Sequence, residues 1–480
     1  MTVRTDVLIV GAGPTGLALG IDLARRGVDA LVVEKADGLF PGSRGKGIQP
    51  RTMEVLDDLG VLEAIRAAGH DYPVGMIWQD GRQVAEHRMI DPAEDGEGGA
   101  AGAGPWMVPQ WRTQEILFDR LTELGGRVVF GREAVGLDQD EDGVTVRFAS
   151  GEPVRARYAV AADGGRSVLR RALGVGMTGE TVDPQPMLVA DVRISGLGRD
   201  FWHVFPPGEN GGFLAICPLP GTEDFQLIAQ LPEDATADLT REGVRELVAS
   251  RSHLAPADVT EVRWASDFRP RAALADRFRV GRVFLAGDAA HIHSPAGGQG
   301  LNTSVQDAYN LGWKLGAVLR EGAPAGLLDT YEAERRPVAA GMLDLSTRVH
   351  RGETRRGAAT SQLGLGYPDS ALSEDARRGP GGTVRAGYRA PDGYLVGDLG
   401  GGRLFDAFRG PGWTLVVVGG ADTDADTVLP SLDVPVVRTG VDSAYGPGVF
   451  LVRPDGYVGW AGESADGLVE YARRVGVAGR

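Results

Sequence analysis

Apolar residues run unbroken from Val7 to Val10 and then give way to glycines, the pattern of a short strand buried on both faces. The turn Gly11-Ala12-Gly13-Pro14-Thr15-Gly16 leads into LALGIDLARRG, where Leu17, Ile21 and Leu23 keep helical spacing. A second apolar run, Ala30 to Val33, ends in Glu34. The spacing predicts helices over Gln49 to Leu59 and Gln114 to Leu124, and strands near residues 127–130, 144–148 and 156–161. The last of these strands opens into Ala162-Asp163-Gly164-Gly165-Arg166-Ser167. From residue 181 to 269 the pattern changes: MLVADVRI, FWHVFP, GGFLAICPL and DFQLIAQL are short apolar or alternating runs parted by Gly and Pro turns. That reads as an antiparallel sheet forming a layer of its own. Arg282 to Ala286 returns to a buried strand closed by Gly287-Asp288, and the turn-rich Ser294 to Gly300 feeds a helix beginning near Leu301. Leu327 to Val349 reads as helix, with a break or kink expected at Pro337.

The elements divide the 480 residues into three units and a linker. Residues 1–180 with 270–350 form a Rossmann-like α/β domain, to which 72–108 add part of a ligand site. Residues 181–269 form the antiparallel-sheet domain, 351–385 a linker and 386–480 a small α/β domain. Asp91 to Gly104 is acidic and glycine-rich and reads as a loop with no fold of its own.

Composition changes this picture mainly by exclusion. A hydrophobic fraction of 42% and a charged fraction of 24% are ordinary for a globular chain. The net charge of −15 argues against nucleic acid or an anionic membrane surface as partner. No apolar run reaches the roughly 18 residues of a membrane span, and nothing at the N-terminus resembles a signal peptide. A cytoplasmic protein, monomeric or homodimeric, is expected. Cys217 is the single cysteine, so neither an internal disulfide nor a cysteine metal cluster can form. His291 and His293 lack carboxylates arranged beside them as ligands, and no metal site is expected.

Three stretches carry chemistry. Gly11, Gly13 and Gly16 stand between strand and helix with an acid about 20 residues on, which is the context in which G-x-G-x-x-G binds a dinucleotide. The glycines let a pyrophosphate approach the helix N-terminus, and Glu34 would hold the ribose hydroxyls; NAD and FAD fit this motif equally. Asp163-Gly164 repeats the strand-to-acidic-turn arrangement. Asp288 stands at another strand end, where a carboxylate can accept hydrogen bonds from a sugar chain. The glycine-rich loop after it presents free N–H groups to an anionic or electron-rich atom. Arg44 sits where a phosphate or the edge of a ring would be met.

In order and spacing, Gly11/Gly13/Gly16 with Glu34, Asp163-Gly164 and Gly287-Asp288 resemble the group A flavoprotein monooxygenases, the FAD-dependent aromatic hydroxylases. The resemblance covers residues 4–350 and extends to the tail, which is similar to the thioredoxin-like C-terminal domain of the phenol and polyketide hydroxylase branch. Without Cys-x-x-Cys, that tail implies a structural or oligomer-contact role and not a redox one. The resemblance implies that Gly11, Gly13, Pro14, Thr15, Gly16, Glu34 and Lys35 hold the ADP half of FAD, and that Arg44 and Gln110 also contact it. It implies that Asp163, Gly164 and Arg166 serve both FAD and the nicotinamide cofactor. Gly287 and Asp288 would meet the ribityl–pyrophosphate region, while Pro295, Gly298, Gly300, Leu301 and Asn302 lie beside the isoalloxazine. Pro295 and Arg44 would stand nearest the chemistry. Gln114 departs from the family, whose members commonly carry Glu there.

The same resemblance implies NAD(P)H as a transient reductant, for which no second G-x-G-x-x-G occurs, and O2 as co-substrate through a flavin C4a-hydroperoxide. The expected substrate is a small phenolic molecule, polycyclic and of the aromatic polyketide type, with Trp78, Phe213, Phe225 and Pro295 around it. A rifamycin-type antibiotic, a simple phenol and Baeyer–Villiger oxygenation are the competing readings. A flavin-dependent halogenase is disfavoured because Trp-x-Trp-x-Ile-Pro is absent; a non-catalytic binder of flavin or an aromatic ligand is the reading from another class.

Overall fold

The computed structural model describes residues 3–88, 90, 104–208, 211–377, 383–393, 402–419, 432–440 and 444–477. The Asp91–Gly104 loop, apart from Gly104, lies outside them. Strand Val3–Val10 sits inside a parallel array, flanked by Ala30–Val33 and Val154–Ala161, with Arg127–Val129 and Val283–Leu285 beyond. Val7, Leu8 and Ile9 have no exposed surface, which is why this strand shows no polar alternation. Helices Pro14–Arg25 and Gly300–Gly316 pack against each other beside this sheet. All three acidic or glycine turns therefore leave from the C-terminal ends of neighbouring parallel strands, where open α/β sheets bind ligands.

The second sheet has seven strands, in the order Val259–Phe268, Met187–Ile194, Asp224–Gln230, Leu214–Pro218, Phe201–Phe205, Val74–Gln79, Arg82–His87. Five come from the stretch read as antiparallel, and the hairpin at 74–87 joins them through one parallel pairing. Alternation gives the sheet two different faces. Leu188, Ala190, Val192, Leu214, Ile216, Phe225 and Leu227 form an apolar core with Val244 and Val248 of helix Arg241–Arg251. Met107, Trp202, Ala215 and Cys217 form a separate small cluster, with Tyr72, Val204 and Phe213 against it.

Local predictions shift at two helices. The helix expected from Gln114 starts at Gln110, because Pro109 can serve as its N-cap. Helix Asp329–His350 runs for 22 residues straight through Pro337. Buried ties in the turn before the proline hold it: Glu334 meets Lys314 and Arg453, and Arg335 meets Asp307. Here tertiary contacts override the local cost of proline.

The C-terminal unit is a mixed sheet, Glu374–Asp375, Val458–Gly462, Gly448–Val452, Thr414–Val418 and Val436–Thr439, closed by helix Leu468–Val475. One parallel and two antiparallel pairings around Thr414–Val418 and Gly448–Val452 give it the thioredoxin-like order. Its core includes Trp313 and Leu327 of the nucleotide-binding part. Arg453 pairs with Glu334 at 2.8 and 2.9 Å, Lys314 meets Glu334 at 2.7 Å, and Asp455 accepts from Asn310 and Trp313, each at 3.0 Å. The hairpin turn Pro454-Asp455-Gly456 is thus fastened to the helix that begins at Gly300.

Candidate active site

The three turns converge in space. Gly11 has φ +112°, and a Cβ there would lie 2.2 Å from the carbonyl oxygen of Ala162, next to Asp163. A Cβ on Gly287 would lie 2.6 Å from Thr15 Oγ1. The first motif therefore touches both of the others, and glycine is required at each contact. Gly13, in contrast, has nothing within 4 Å of where its Cβ would be, and the same holds for Gly164. These two face open space.

Helix Pro14–Arg25 has Gly13 as N-cap, no side-chain cap and no acid in its first turn. Its first N–H groups are left for an anion. Glu34 stands beside this turn, one oxygen accepting from Ala12 N at 2.9 Å and the other from Ala36 N at 3.0 Å. Each oxygen keeps a second lone pair. Pro14 occupies the first helical turn, while Lys35 and Arg166 are exposed at the rim. Asp163 Oδ2 accepts from Val168 N at 2.7 Å; its Oδ1 is buried without a partner, and burial raises the carboxyl above its ordinary range.

Asp288 is solvent-accessible, yet it lies so deep among protein atoms that desolvation raises its carboxyl above the ordinary range. An accessible side chain in such surroundings lines an internal channel. Arg44 acts on this carboxyl with its charge and stacks over Phe40 and Trp264 at 5.2 and 5.8 Å. Further along, Pro295 is exposed on a tight turn, and Gly298 takes a left-handed conformation at φ +64°. Asn302 anchors this end: its Oδ1 accepts from Gln49 N at 2.8 Å, and its Nδ2 donates to the carbonyls of Gly47 and Gly298 at 2.9 Å. Helix Gly300–Gly316 begins with no side-chain cap and no first-turn acid. Gln110 Oε1 accepts from Gly45 N at 2.8 Å, and Leu301 packs near Gly45. Gln114 donates to the carbonyl of Phe40, fixing the loop that carries Arg44.

Two uncapped helix starts, open glycines and a deep channel with a carboxylate fit a long cofactor with an anionic middle. The residues present accommodate FAD.

Behind the channel, the histidines do join a carboxylate. His291 Nε2 lies 2.5 Å from Asp307 Oδ2, which also accepts from Gly287 N at 3.0 Å, while Arg335 Nε donates to Oδ1 at 2.8 Å. Burial alone would raise Asp307, but the charges of His291 and Arg335 outweigh it and hold the carboxyl below its ordinary range. The cluster locks the loop bearing Asp288. His293 touches His291 at 3.0 Å, and burial holds its imidazole well below the usual range, in the neutral form. Among the described residues no group of His, Cys, Asp and Glu is placed to hold a metal.

The expected ring-binding residues separate. Phe213 borders the small cluster of Met107, Trp202, Ala215 and Cys217 on the face turned towards the Ser43–Gly47 loop. Trp78 and Phe225 lie on the opposite face: Trp78 donates to His203 Nδ1 at 3.0 Å and stacks 4.2 Å from His253, and Phe225 is buried under helix Arg241–Arg251. Hydrophobic alternation marks two faces without saying which meets the ligand. Buried polar residues that the sequence reading does not single out occupy the turned face. Lys46, Gln226 and Asp191 are all buried there. A single acid inside MLVADVRI was the available signal.

Burial pushes the Asp191 carboxyl up to about 6 from 3.8. A raised acid is still protonated in the folded state at pH 4–6, where the unfolded chain has released its proton. Stability therefore falls as pH rises through that window and stays lower above it. Asp191→Asn should gain about 1–3 kcal/mol at neutral pH, read by denaturant unfolding; no gain would mean the carboxylate is compensated.

Residues 4–346 match the FAD binding domain family and 383–476 match the aromatic-ring hydroxylase C-terminal family. A flavin-dependent monooxygenase of Mycobacteroides abscessus is 46% identical, with 98% of this chain and 99% of the relative covered. A rifampicin monooxygenase of Streptomyces venezuelae is 36% identical, covering 97% of each. The crystal structure of aklavinone-11 hydroxylase with FAD and aklavinone superposes with a TM-score of 0.83 at 29% identity, covering 99% of each chain. The chain belongs to the FAD-dependent aromatic-ring hydroxylases, a family of flavoprotein monooxygenases.

Proposed function

We propose that the protein hydroxylates a multi-ring phenol of the aromatic polyketide type, with NAD(P)H as reductant and O2 as the source of the oxygen atom. The deep, accessible Asp288 at the meeting point of three cofactor-type turns carries this reading most. FAD, when bound and reduced, supplies the activation of O2. The chain's own residues do the rest. The N–H groups at the start of helix Gly300–Gly316 face the place where negative charge on a reduced ring needs support. Gly11 to Gly16 and Glu34 hold the adenosine end, and Asp163, Gly164, Arg166, Arg44 and Asp288 the middle. Pro295 and the Met107–Trp202–Ala215–Cys217 wall close over the ring to be oxidised and keep water out.

The kinship with an aklavinone-11 hydroxylase and a rifampicin monooxygenase supports a large natural product over a simple phenol. A rifamycin-type antibiotic is the second reading, favoured by the 36% identity to the rifampicin enzyme; turnover on rifampicin against a polycyclic phenol separates them. Asp288→Ala should weaken FAD affinity roughly tenfold or more and so lower its occupancy, since a charge-assisted hydrogen bond contributes about 1.5–3 kcal/mol. The flavin-to-protein absorbance ratio after gel filtration measures this. Full retention of FAD by the variant would count against the placement of the cofactor.

A further inference from the structure

Residues 358–362 pack back onto the loop at 294–299. Helix Ala358–Ser361 ends in Gln362, whose backbone holds φ +64° and ψ 9°. L residues other than Asn and Asp seldom tolerate this left-handed conformation. Among the described residues, Asp80 and Gln362 are the two that take a positive φ without being glycine. The Gln362 side chain is buried, as are those of Gln299 and Gln306. Its Nε2 donates to Gln299 Oε1 at 2.6 Å and to Thr303 Oγ1 at 3.3 Å, and its Oε1 accepts from Gln306 Nε2 at 2.5 Å. Gln299 Nε2 donates to the carbonyls of Gly297 at 2.9 Å and Thr360 at 3.3 Å. Three buried glutamines thus form one chain that starts at the loop.

The direction of each amide in this chain is set from the loop end. Two carbonyls demand the NH2 group of Gln299, so its oxygen faces Gln362 and demands a donor. Gln362 therefore turns its NH2 group to Gln299 and its oxygen to Gln306. The far end, Gln306 Oε1, is buried without a partner, beside Asp455 and Tyr457 of the C-terminal hairpin. A strained backbone kept in place by buried hydrogen bonds is over-determined by its surroundings, and such positions gather at ligand clamps. What is clamped here is the start of helix Gly300–Gly316, whose N-cap is Gln299. Gln299 occupies the Gly297 carbonyl and Asn302 the Gly298 carbonyl. The first N–H groups of the helix, which no side chain caps, are left as the free polar groups of this turn.

We propose that Gln362 is a positioning residue for the cofactor: acting through Gln299, it holds the Gly297 carbonyl and keeps the uncapped N–H groups of helix Gly300–Gly316 aimed at the ring of FAD, and so tunes how readily that ring accepts electrons. The inference rests on the hydroxylase reading and its placement of FAD. A reduced flavin carries negative charge, and N–H groups fixed in advance stabilise that charge without having to reorganise. Released from Gln299, the Gly297 carbonyl is free to turn, and a carbonyl dipole turned towards the charge opposes reduction. Gln362 need not touch the cofactor for this. Segment 351–385, which the sequence presents as a linker, thereby gains a task beyond joining two domains.

Redox titration of the FAD-loaded protein against a dye of known potential, with denaturant unfolding of the apoprotein beside it, tests the proposal. Gln362→Met fills the same space without either hydrogen bond. It should favour reduced FAD at least tenfold less than wild type does, a fall of about 30 mV for a two-electron couple. Gln362→Gly accepts φ +64° without strain; it should show the same fall and serves where Gln362→Met does not fold. Gln299→Met should reproduce the fall, and adding Gln362→Met to it should lower the potential no further. A role confined to the fold predicts lower unfolding midpoints with an unmoved potential. That result, or additive falls in the double variant, overturns the proposal. A wild type that binds no FAD overturns the hydroxylase reading together with this one, whereas FAD-containing variants that keep the wild-type potential overturn this inference alone.

Discussion

Gly13→Val should yield a protein as stable as wild type that purifies without its yellow colour. Gly13 has φ −71° and ψ 178°, a conformation open to any residue, and no protein atom lies within 4 Å of its Cβ position. The added side chain therefore disturbs nothing in the protein alone. It fills the space through which a pyrophosphate must approach the uncapped start of helix Pro14–Arg25. Gly11→Ala gives the opposite pattern. Its Cβ would meet the Ala162 carbonyl at 2.2 Å from a backbone with φ +112°, so the fold itself is damaged, with local strain alone costing about 1–3 kcal/mol. Unfolding of the two apoproteins, together with FAD titration, separates the effects. Tight FAD binding by Gly13→Val would show that the cofactor passes elsewhere.

Glu334→Ala should destabilise the protein by about 3–5 kcal/mol, because it leaves two buried cations without their shared carboxylate. Glu334, Lys314 and Arg453 have no exposed side-chain surface, or none beyond a trace. Burial works against the carboxyl, yet Arg453 and Lys314 together hold it far below its ordinary range, and burial brings the Lys314 ammonium down to about 8. The depressed acid stabilises the fold above the ordinary carboxylate range and loses that contribution as pH falls through its folded value. Since Lys314 and Asn310 belong to the helix that begins at Gly300, loosening the C-terminal hairpin should also weaken FAD binding. Denaturant midpoints with and without FAD measure both effects. A loss under about 1 kcal/mol would place this network among contacts that contribute little.

What could be read from the sequence was local. Strand, glycine turn and helix follow one another within the first 25 residues, and Asp163 and Asp288 each end a recognisable strand. Backbone geometry demands glycine at Gly11 and Gly287, so the chain order alone carries those parts of the site. The face of the second sheet turned towards the Ser43–Gly47 loop is different. Lys46, Tyr72, Asp191, Trp202 and Gln226 come from separate segments, and only pairing in the second sheet brings them together. Trp78 and Phe225 illustrate the same limit: their aromatic character was plain, but which face they occupy depends on where helix Arg241–Arg251 docks. The His291–Asp307–Arg335 cluster likewise needs two helices and a loop to meet. Asp455, in a turn legible as a hairpin, revealed nothing of its bonds to Asn310 and Trp313.

The most direct measurement supplies the purified yellow protein with NAD(P)H, isotope-labelled O2 and a panel of polycyclic phenols, and weighs the products by mass spectrometry. Hydroxylation predicts reductant consumption that rises with substrate and a product carrying one labelled oxygen atom on the ring. A colourless protein, or a product whose new oxygen is unlabelled, would contradict it.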